Sequence, residues 1–343
     1  MPTNLPPDAL QAEKRYREAE TLEDRIATLE VYIGLIPKHK GTDHLRADLR
    51  RQLSKLKASA QSGKKASRQD STFRIDREGA GQVAIVGVTN VGKSSLVAAL
   101  TNATPEVSDA PYTTWEPTPG MVLVEDVQVQ LIDTPPLSRD YVEPELMSLI
   151  RRSDLILLMV DVQTQPVQQL EESIAILEEH RIVPLDRKDN YPEDPRFTFK
   201  PLLVLANKCD DQEAEELFEI FCMLLESPGG DLPEKWPIPA YRAGTLLPIS
   251  ATTGHNLEGL KQAVFDGLAI IRVYAKPPGK DPDFSRPYVL PRGSTVEEFA
   301  RKIHKDFYDN LKAARVWGSA TFDGQAVSRD HVLSDGDVVE LRI

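Results

Sequence analysis

Gly87-Val88-Thr89-Asn90-Val91-Gly92-Lys93-Ser94 has the residue types and the spacing of a loop that could hold phosphate. It follows the apolar run Val83-Ala84-Ile85-Val86 and precedes Ser95-Leu96-Val97-Ala98-Ala99-Leu100, so a buried strand enters a Gly-bounded turn and leaves as a helix. In G-x-x-x-x-G-K-S, successive backbone N–H groups curl around an anion, and the helix N-terminus adds the positive end of its dipole. Asn90, Val91, Gly92, Lys93, Ser94 and Ser95 therefore form the expected cradle, with Lys93 reaching the β- and γ-phosphates and Ser94 ligating Mg²⁺. A chance loop rich in Gly and Lys would have no reason to sit between a strand and a helix.

Three further segments carry complementary chemistry. The stretch Asp109 to Gly120 is rich in Pro and small polar residues and reads as an irregular loop, neither helix nor strand; Thr114, or failing it Thr113, offers a hydroxyl that can ligate Mg²⁺ while a γ-phosphate is present. Asp133 closes the apolar run Val127 to Ile132, where a carboxylate beside the phosphate loop can hold Mg²⁺ through water. Asn207-Lys208-Cys209-Asp210 ends the run Leu202 to Ala206. The Asp210 carboxylate can accept two hydrogen bonds from the N1–H and 2-amino edge of guanine, which adenine cannot donate, while the Lys208 stem covers the ring. Ser250-Ala251-Thr252 follows another short run, and a backbone N–H there can read the guanine O6. Cys209 reads as filler. No side chain looks like a general base, so Lys93, Thr114 and Asp133 would act by positioning and electrostatics.

These segments need strands to position them. Val83–Val86, Leu155–Asp161 and Leu202–Ala206 are continuous apolar runs separated by helical stretches, Gln165 to Glu179 and Glu213 to Glu226, which predicts a mostly parallel sheet covered by helices on both faces, with ligand loops at the carboxyl ends of its strands. Met121–Val124 and Val127–Ile132, joined by Glu125-Asp126, read as a hairpin. Upstream, Leu22 to Leu35 and Leu45 to Leu56 have helical spacing interrupted by Pro37 and Gly41, a helical hairpin. Downstream, Tyr288–Leu290, a helix from Thr295 to Phe307 with a capping box from Thr295 and Glu298, and short strands near Ala314–Trp317, Gln325–Val327 and Val338–Ile343 predict a small sheet gripping one helix. The domains expected are residues 1–77 (helical hairpin and basic linker), 78–273 (nucleotide domain) and 274–343 (docking module).

Composition excludes several classes. The chain of 343 residues has a net charge of -12, against a protein that coats nucleic acid over its whole surface. From Lys38 to Arg77, however, twelve Lys or Arg stand against four Asp, a local balance of +8 that suits a polyanionic partner, although a solvated linker has the same composition. Two cysteines, Cys209 and Cys222, are too few for a disulfide framework or a four-cysteine zinc site. The N-terminus has no apolar signal core and no run of about 18 apolar residues occurs, so the expected protein is cytoplasmic and does not span a membrane.

The set GVTNVGKS, YTT, DTPP, NKCD and SAT resembles the five motifs of a translation-factor-related GTPase across residues 81–271. Tyr112-Thr113-Thr114-Trp115-Glu116-Pro117 is similar to the first switch of the Obg-related group, and Val316-Trp317-Gly318-Ser319 with Ser334-Asp335-Gly336-Asp337 resembles the TGS domain of the developmentally regulated GTP-binding proteins. Lys38 to Leu45 is similar to that family's helix-turn-helix, so the likeness spans nearly the whole chain. The resemblance implies a phosphate-loop GTPase domain with a C-terminal β-grasp module, GTP or GDP as ligand, Mg²⁺, and a ribosome or RNA as partner through the basic segment and the TGS domain. The expected form is a monomer, with a protein cofactor as a further candidate partner, and likeness to potassium-activated relatives gives Asn90 a bound K⁺ in the position of an arginine finger. Two departures stand out. Pro136 occupies the place of the third-motif Gly and has no N–H to offer a γ-phosphate, so that sensing is weakened or passes to a neighbour such as Leu137. Asp133 to Ser153 is also too short for the family's inserted small domain. A GTP-binding scaffold that barely hydrolyses is the alternative.

Overall fold

In a computed structural model the described residues are 6, 8, 11–12, 22–36, 49, 73–101, 116–139, 142–226, 245–320 and 322–342. The chain divides into two units, Met1–Arg74 and Ile75–Ile343. In the first unit α1 (Leu22–Leu35) buries Leu29, Tyr32 and Ile33, which cluster with Ala12, Ile36 and Leu49. The second helix of the expected hairpin, most of the basic segment, Thr113 and Thr114 lie outside the described residues.

The second unit is built on a six-stranded sheet in the order β2-β3-β1-β4-β7-β8. β1 (Gln82–Val86), β4 (Leu155–Asp161), β7 (Leu202–Asn207) and β8 (Leu246–Pro248) run parallel with β3 (Val127–Asp133), while the edge strand β2 (Thr118–Val124) is antiparallel to it. β1 and β4 are buried throughout, as parallel strands covered on both faces must be. Alternate residues face opposite ways. Val83, Ile85, Leu155, Leu157 and Met159 pack with Leu96 and Val97 of α2 (Lys93–Leu100) and with Leu260, Val264 and Phe265 of α6 (Leu257–Gly267). Apolar residues of α3 (Pro144–Arg152) and α4 (Pro166–Glu179) are buried as well, and α5 (Gln212–Glu226) follows β7. A parallel pair, β5 (Ile182–Pro184) and β6 (Thr198–Lys200), lies between α4 and β7.

Thr118-Pro119-Gly120 is strand, paired with Leu131 to Asp133, and not part of the irregular loop that its Pro and Gly predict. Proline is tolerated because β2 is the sheet edge and need not donate on both sides.

The C-terminal sheet has the order β10-β9-β13-β11-β12, formed by β9 (Ile270–Ala275), β10 (Tyr288–Pro291), β11 (Ala313–Trp317), β12 (Gln325–Val327) and β13 (Asp337–Arg342). Only β9 and β13 are parallel. Its apolar face, including Val273, Leu290, Val316 and Leu341, encloses Val296, Phe299 and Ala300 of α7 (Val296–Ile303), a β-grasp arrangement. The capping box forms: Thr295 Oγ1 accepts from Glu298 N and Glu298 Oε2 accepts from Thr295 N. The expected single helix to Phe307 is broken at His304, whose extended backbone separates α7 from α8 (Lys305–Asn310). Buried Asp337 accepts from the Ser319 N–H, the Ser319 hydroxyl and the Ser334 N–H, joining the two sequence signatures of this domain.

Candidate nucleotide site

Four loops leave the carboxyl ends of neighbouring parallel strands: Gly87–Gly92 after β1, Asp133–Leu137 after β3, Asn207–Asp210 after β7 and Ser250–Thr252 after β8. The loop after β1 turns directly into α2, whose N-cap is Gly92. Gly92 has φ 96°, and a Cβ there would lie 2.3 Å from Asn207 Nδ2. At Gly87, with φ 152°, a Cβ would stand 2.5 Å from the Met159 carbonyl oxygen. Both glycines are thus required by backbone shape and by close approach.

Lys93 is buried, and its ammonium donates to the carbonyls of Val88 at 2.9 Å and Gly87 at 3.2 Å. Burial lowers its pKa to about 8, against the opposing charge of Asp133. Ser94 Oγ donates to Asp133 Oδ2 at 2.5 Å. Asp133 is fully buried, and burial lifts its carboxyl above the usual carboxylate range although the Ser94 hydroxyl and Lys93 pull it down. Its Oδ1 has no hydrogen-bond partner among the described residues. A buried carboxylate oxygen left without a donor, beside a serine hydroxyl, is a donor set that fits a hard divalent cation.

Asn207 joins two loops. Its Nδ2 donates to Val91 O at 2.8 Å and its Oδ1 accepts from Ala251 N at 3.1 Å, so the side-chain amide ties the phosphate loop to the loop after β8. In this state Asn207 is a strut, and the Ala251 N–H expected to meet a base is held by it. Lys208, at φ 69°, donates its ammonium to Asp161 Oδ2 at 2.5 Å. Sequence reasoning did not assign Asp161 a role, yet it ends β4 as Asp133 ends β3, a signal that could have found it. The Asp210 carboxylate is exposed and accepts from Ser250 Oγ, which in turn accepts from the Thr252 and Thr253 amides. Cys209 is buried, and burial pushes its thiol up to about 11, which fits filler. Asn90 sits exposed with φ 62°, a backbone shape that Asn adopts more readily than most residues.

The loop after β3 is tied down. Thr134 is buried and donates Oγ1 to Ile85 O at 2.7 Å, and Leu137, also buried, donates its N–H to Gly87 O at 3.0 Å. The amide expected to stand in for the missing third-motif Gly is therefore spent on the phosphate loop. Ser95, next to Ser94, lies half-buried in the first turn of α2.

A family model described as a 50S ribosome-binding GTPase matches residues 82–187, and a model of the TGS domain matches residues 271–343. The chain is 30% identical to an uncharacterized GTP-binding protein of Methanocaldococcus jannaschii over 94% of this chain and 93% of that protein. It is 26% identical to developmentally-regulated GTP-binding protein 1 of Xenopus laevis, over 92% and 98% of the two chains. To ribosome-interacting GTPase 1 of Saccharomyces cerevisiae it is 25% identical, over 94% and 99%. These alignments run over 379, 378 and 385 positions, more than the 343 residues of this chain, so the relatives carry segments that it lacks.

Proposed function

Because the chain is a P-loop GTPase with a C-terminal TGS domain, a relative of the developmentally regulated GTP-binding proteins, we propose that its four converging loops form a switch that binds and hydrolyses GTP at the ribosome or on RNA. The observation that carries the site is Asn207, which binds the phosphate loop and the loop after β8 into one cleft edge. In the bound state Lys93 swings from the Gly87 and Val88 carbonyls to the β- and γ-phosphates, while the N–H groups of Val91 to Ser95 face the anion. Ser94, Asp133 and Thr114 would hold Mg²⁺, which supplies positive charge to the developing negative charge on the transferred phosphoryl group. Asp210, presented by Ser250, accepts from guanine N1–H and the 2-amino group, and the Lys208 stem, steered by Asp161, covers the base. Ala251 and Thr252 close the base pocket. With no general base among the described residues of the site, the rate is slow and rests on positioning.

Asn90, at the exposed tip of the loop, is the residue through which K⁺ would act. A ribosomal partner is supported by the description of the matching GTPase model, by the name of the yeast relative and by the basic segment. The test is GTP turnover in matched K⁺ and Na⁺ buffers, with Lys93→Ala as the blank. Turnover by the wild type that disappears in the blank is expected, higher in K⁺ if Asn90 has the cation role. One observation favours a second reading, a GTP-binding scaffold with little hydrolysis: residues 134–137 offer two prolines and an amide already committed to Gly87 O. Tight GTP binding without turnover in either salt would select it.

A further inference from the structure

The turn of the β2–β3 hairpin is held by the C-terminal domain. Val124 pairs with Val127, so Glu125 and Asp126 form a two-residue link. Such links favour Gly, Asn or Asp where φ is positive, yet here Glu125 carries φ 53°. Glutamate has no local side-chain hydrogen bond to offset that conformation, and strained turns persist when their surroundings over-determine them.

The surroundings here are the guanidinium of Arg272 and the hydroxyl of Tyr274. Arg272 of β9 donates Nη1 to Asp126 Oδ1 at 2.8 Å and reaches Glu125 Oε2 at 3.5 Å. Its Nη2 and Nε pair with both oxygens of Asp335, at 2.7 and 3.1 Å. Its backbone N–H donates to Asp335 Oδ1 at 2.7 Å, and its carbonyl accepts from Gly336 N at 2.8 Å. The guanidinium also lies 5.0 Å over the Phe265 ring, and Tyr274 OH donates to the other Asp126 oxygen at 2.5 Å. Both turn residues and the S-D-G-D loop of the TGS domain are thus gathered on a half-buried arginine.

The hairpin links this clasp to the site. The register that pairs Val124 with Val127 at the turn pairs Thr118 with Asp133 at the other end. β2 is the edge strand and pairs with β3 alone, while its Val122 and Val124 pack into the core. A one-residue slip would reverse which side chains face the core and change the residue beside Asp133.

We propose that Arg272 is a positioning residue for the GTPase site: by enforcing the Glu125-Asp126 turn it lets the TGS domain set the register of β2 against β3, and with it the surroundings of Asp133. The link to nucleotide rests on the reading of the site given above; the link to the hairpin does not. Coupling of this kind is reciprocal, so nucleotide state also biases the docking of the TGS domain.

The experiment uses the full chain as wild type, Arg272→Ala, Glu125→Gly and the double variant. Hydrogen–deuterium exchange of residues 118–124 reports the strand, and affinities for fluorescent GTP and GDP analogues report the site. Arg272→Ala is expected to speed exchange in β2 about tenfold and to lower the GTP-to-GDP affinity ratio about fivefold. Glycine at 125 accepts positive φ without Arg272, so the double variant regains wild-type values, a rescue that mere loss of domain packing would not show. Unchanged exchange in Arg272→Ala, or a double variant that stays like Arg272→Ala, overturns the proposal. Should Arg272→Ala fail to fold, Asp126→Asn, which removes one charged partner, must show the same changes at smaller size, and unchanged exchange there overturns it equally. Wild-type protein that binds no guanine nucleotide would sink the GTPase reading, while the exchange measurements still decide the role of Arg272.

Discussion

Lys93 is the residue at which burial and function pull in opposite directions. Its pKa of about 8 lies below the ordinary lysine value of 10.5 because burial disfavours the ammonium. Below about pH 8 the side chain is charged both folded and unfolded, and its desolvation weakens the empty protein in full. Between about 8 and 10.5 the unfolded chain holds the proton and the folded chain does not, so this group's contribution to stability rises with pH. Phosphate binding reverses the preference, because the anion needs the ammonium. Nucleotide affinity should be level up to about pH 8 and then fall, by at most about tenfold per pH unit. Calorimetric titrations at several pH values, with Lys93→Met as control, should show proton uptake on binding above pH 8. Affinity that stays flat from pH 7 to 10 would mean that Lys93 does not meet the phosphates.

At the scale of elements, the proposed switch would rely on the segment after β3 to distinguish GTP from GDP. A switch of this type needs an N–H that turns toward the γ-phosphate and turns away after hydrolysis. Here Thr134 is anchored to β1, Pro135 and Pro136 have no N–H, and Leu137 donates to Gly87 O while its side chain is buried. Pro136→Gly restores a donor and frees φ. It is expected to raise GTP affinity relative to GDP by about tenfold, the worth of one hydrogen bond to a charged group. An unchanged ratio would show that the segment is held by Thr134 and Leu137 regardless of residue 136.

Most of this architecture was legible in the chain. Continuous apolar runs gave β1, β4 and β7, and the residues at their ends are the ones that converge. The capping box at Thr295 and Glu298 forms as expected because it depends on local contacts alone. What escaped reading depends on distant partners. Thr118 to Gly120 is strand because β3 lies beside it, β9 is recruited by β13 and β10, and β5 and β6 are three residues each, too short to show a period. Neither the Asn207 strut nor the Arg272 clasp can be seen from spacing, since each joins residues more than a hundred positions apart.

For the whole molecule, the proposed ribosomal or RNA partner sets a physical problem, because the chain has a net charge of -12. Uniformly distributed, that charge would repel a ribosome, so attraction must come from a local concentration of opposite sign. Lys38 to Arg77 supplies one, at +8. If this segment makes the contact, each phosphate it neutralises releases counterions, and binding weakens steeply with salt. Co-sedimentation with ribosomes across roughly 50 to 200 mM salt should then give a log–log slope of about −3 to −5, the value for about four to six phosphate contacts. Deleting residues 1–77 should remove the slope and most of the affinity while leaving GTP turnover in place, because the phosphate loop, Asp133 and Asn207 all lie beyond the deletion. A deletion variant that still sediments with the same slope would move the contact to the TGS domain. Wild-type protein that binds at no salt concentration would end the ribosomal reading and leave the GTPase without it.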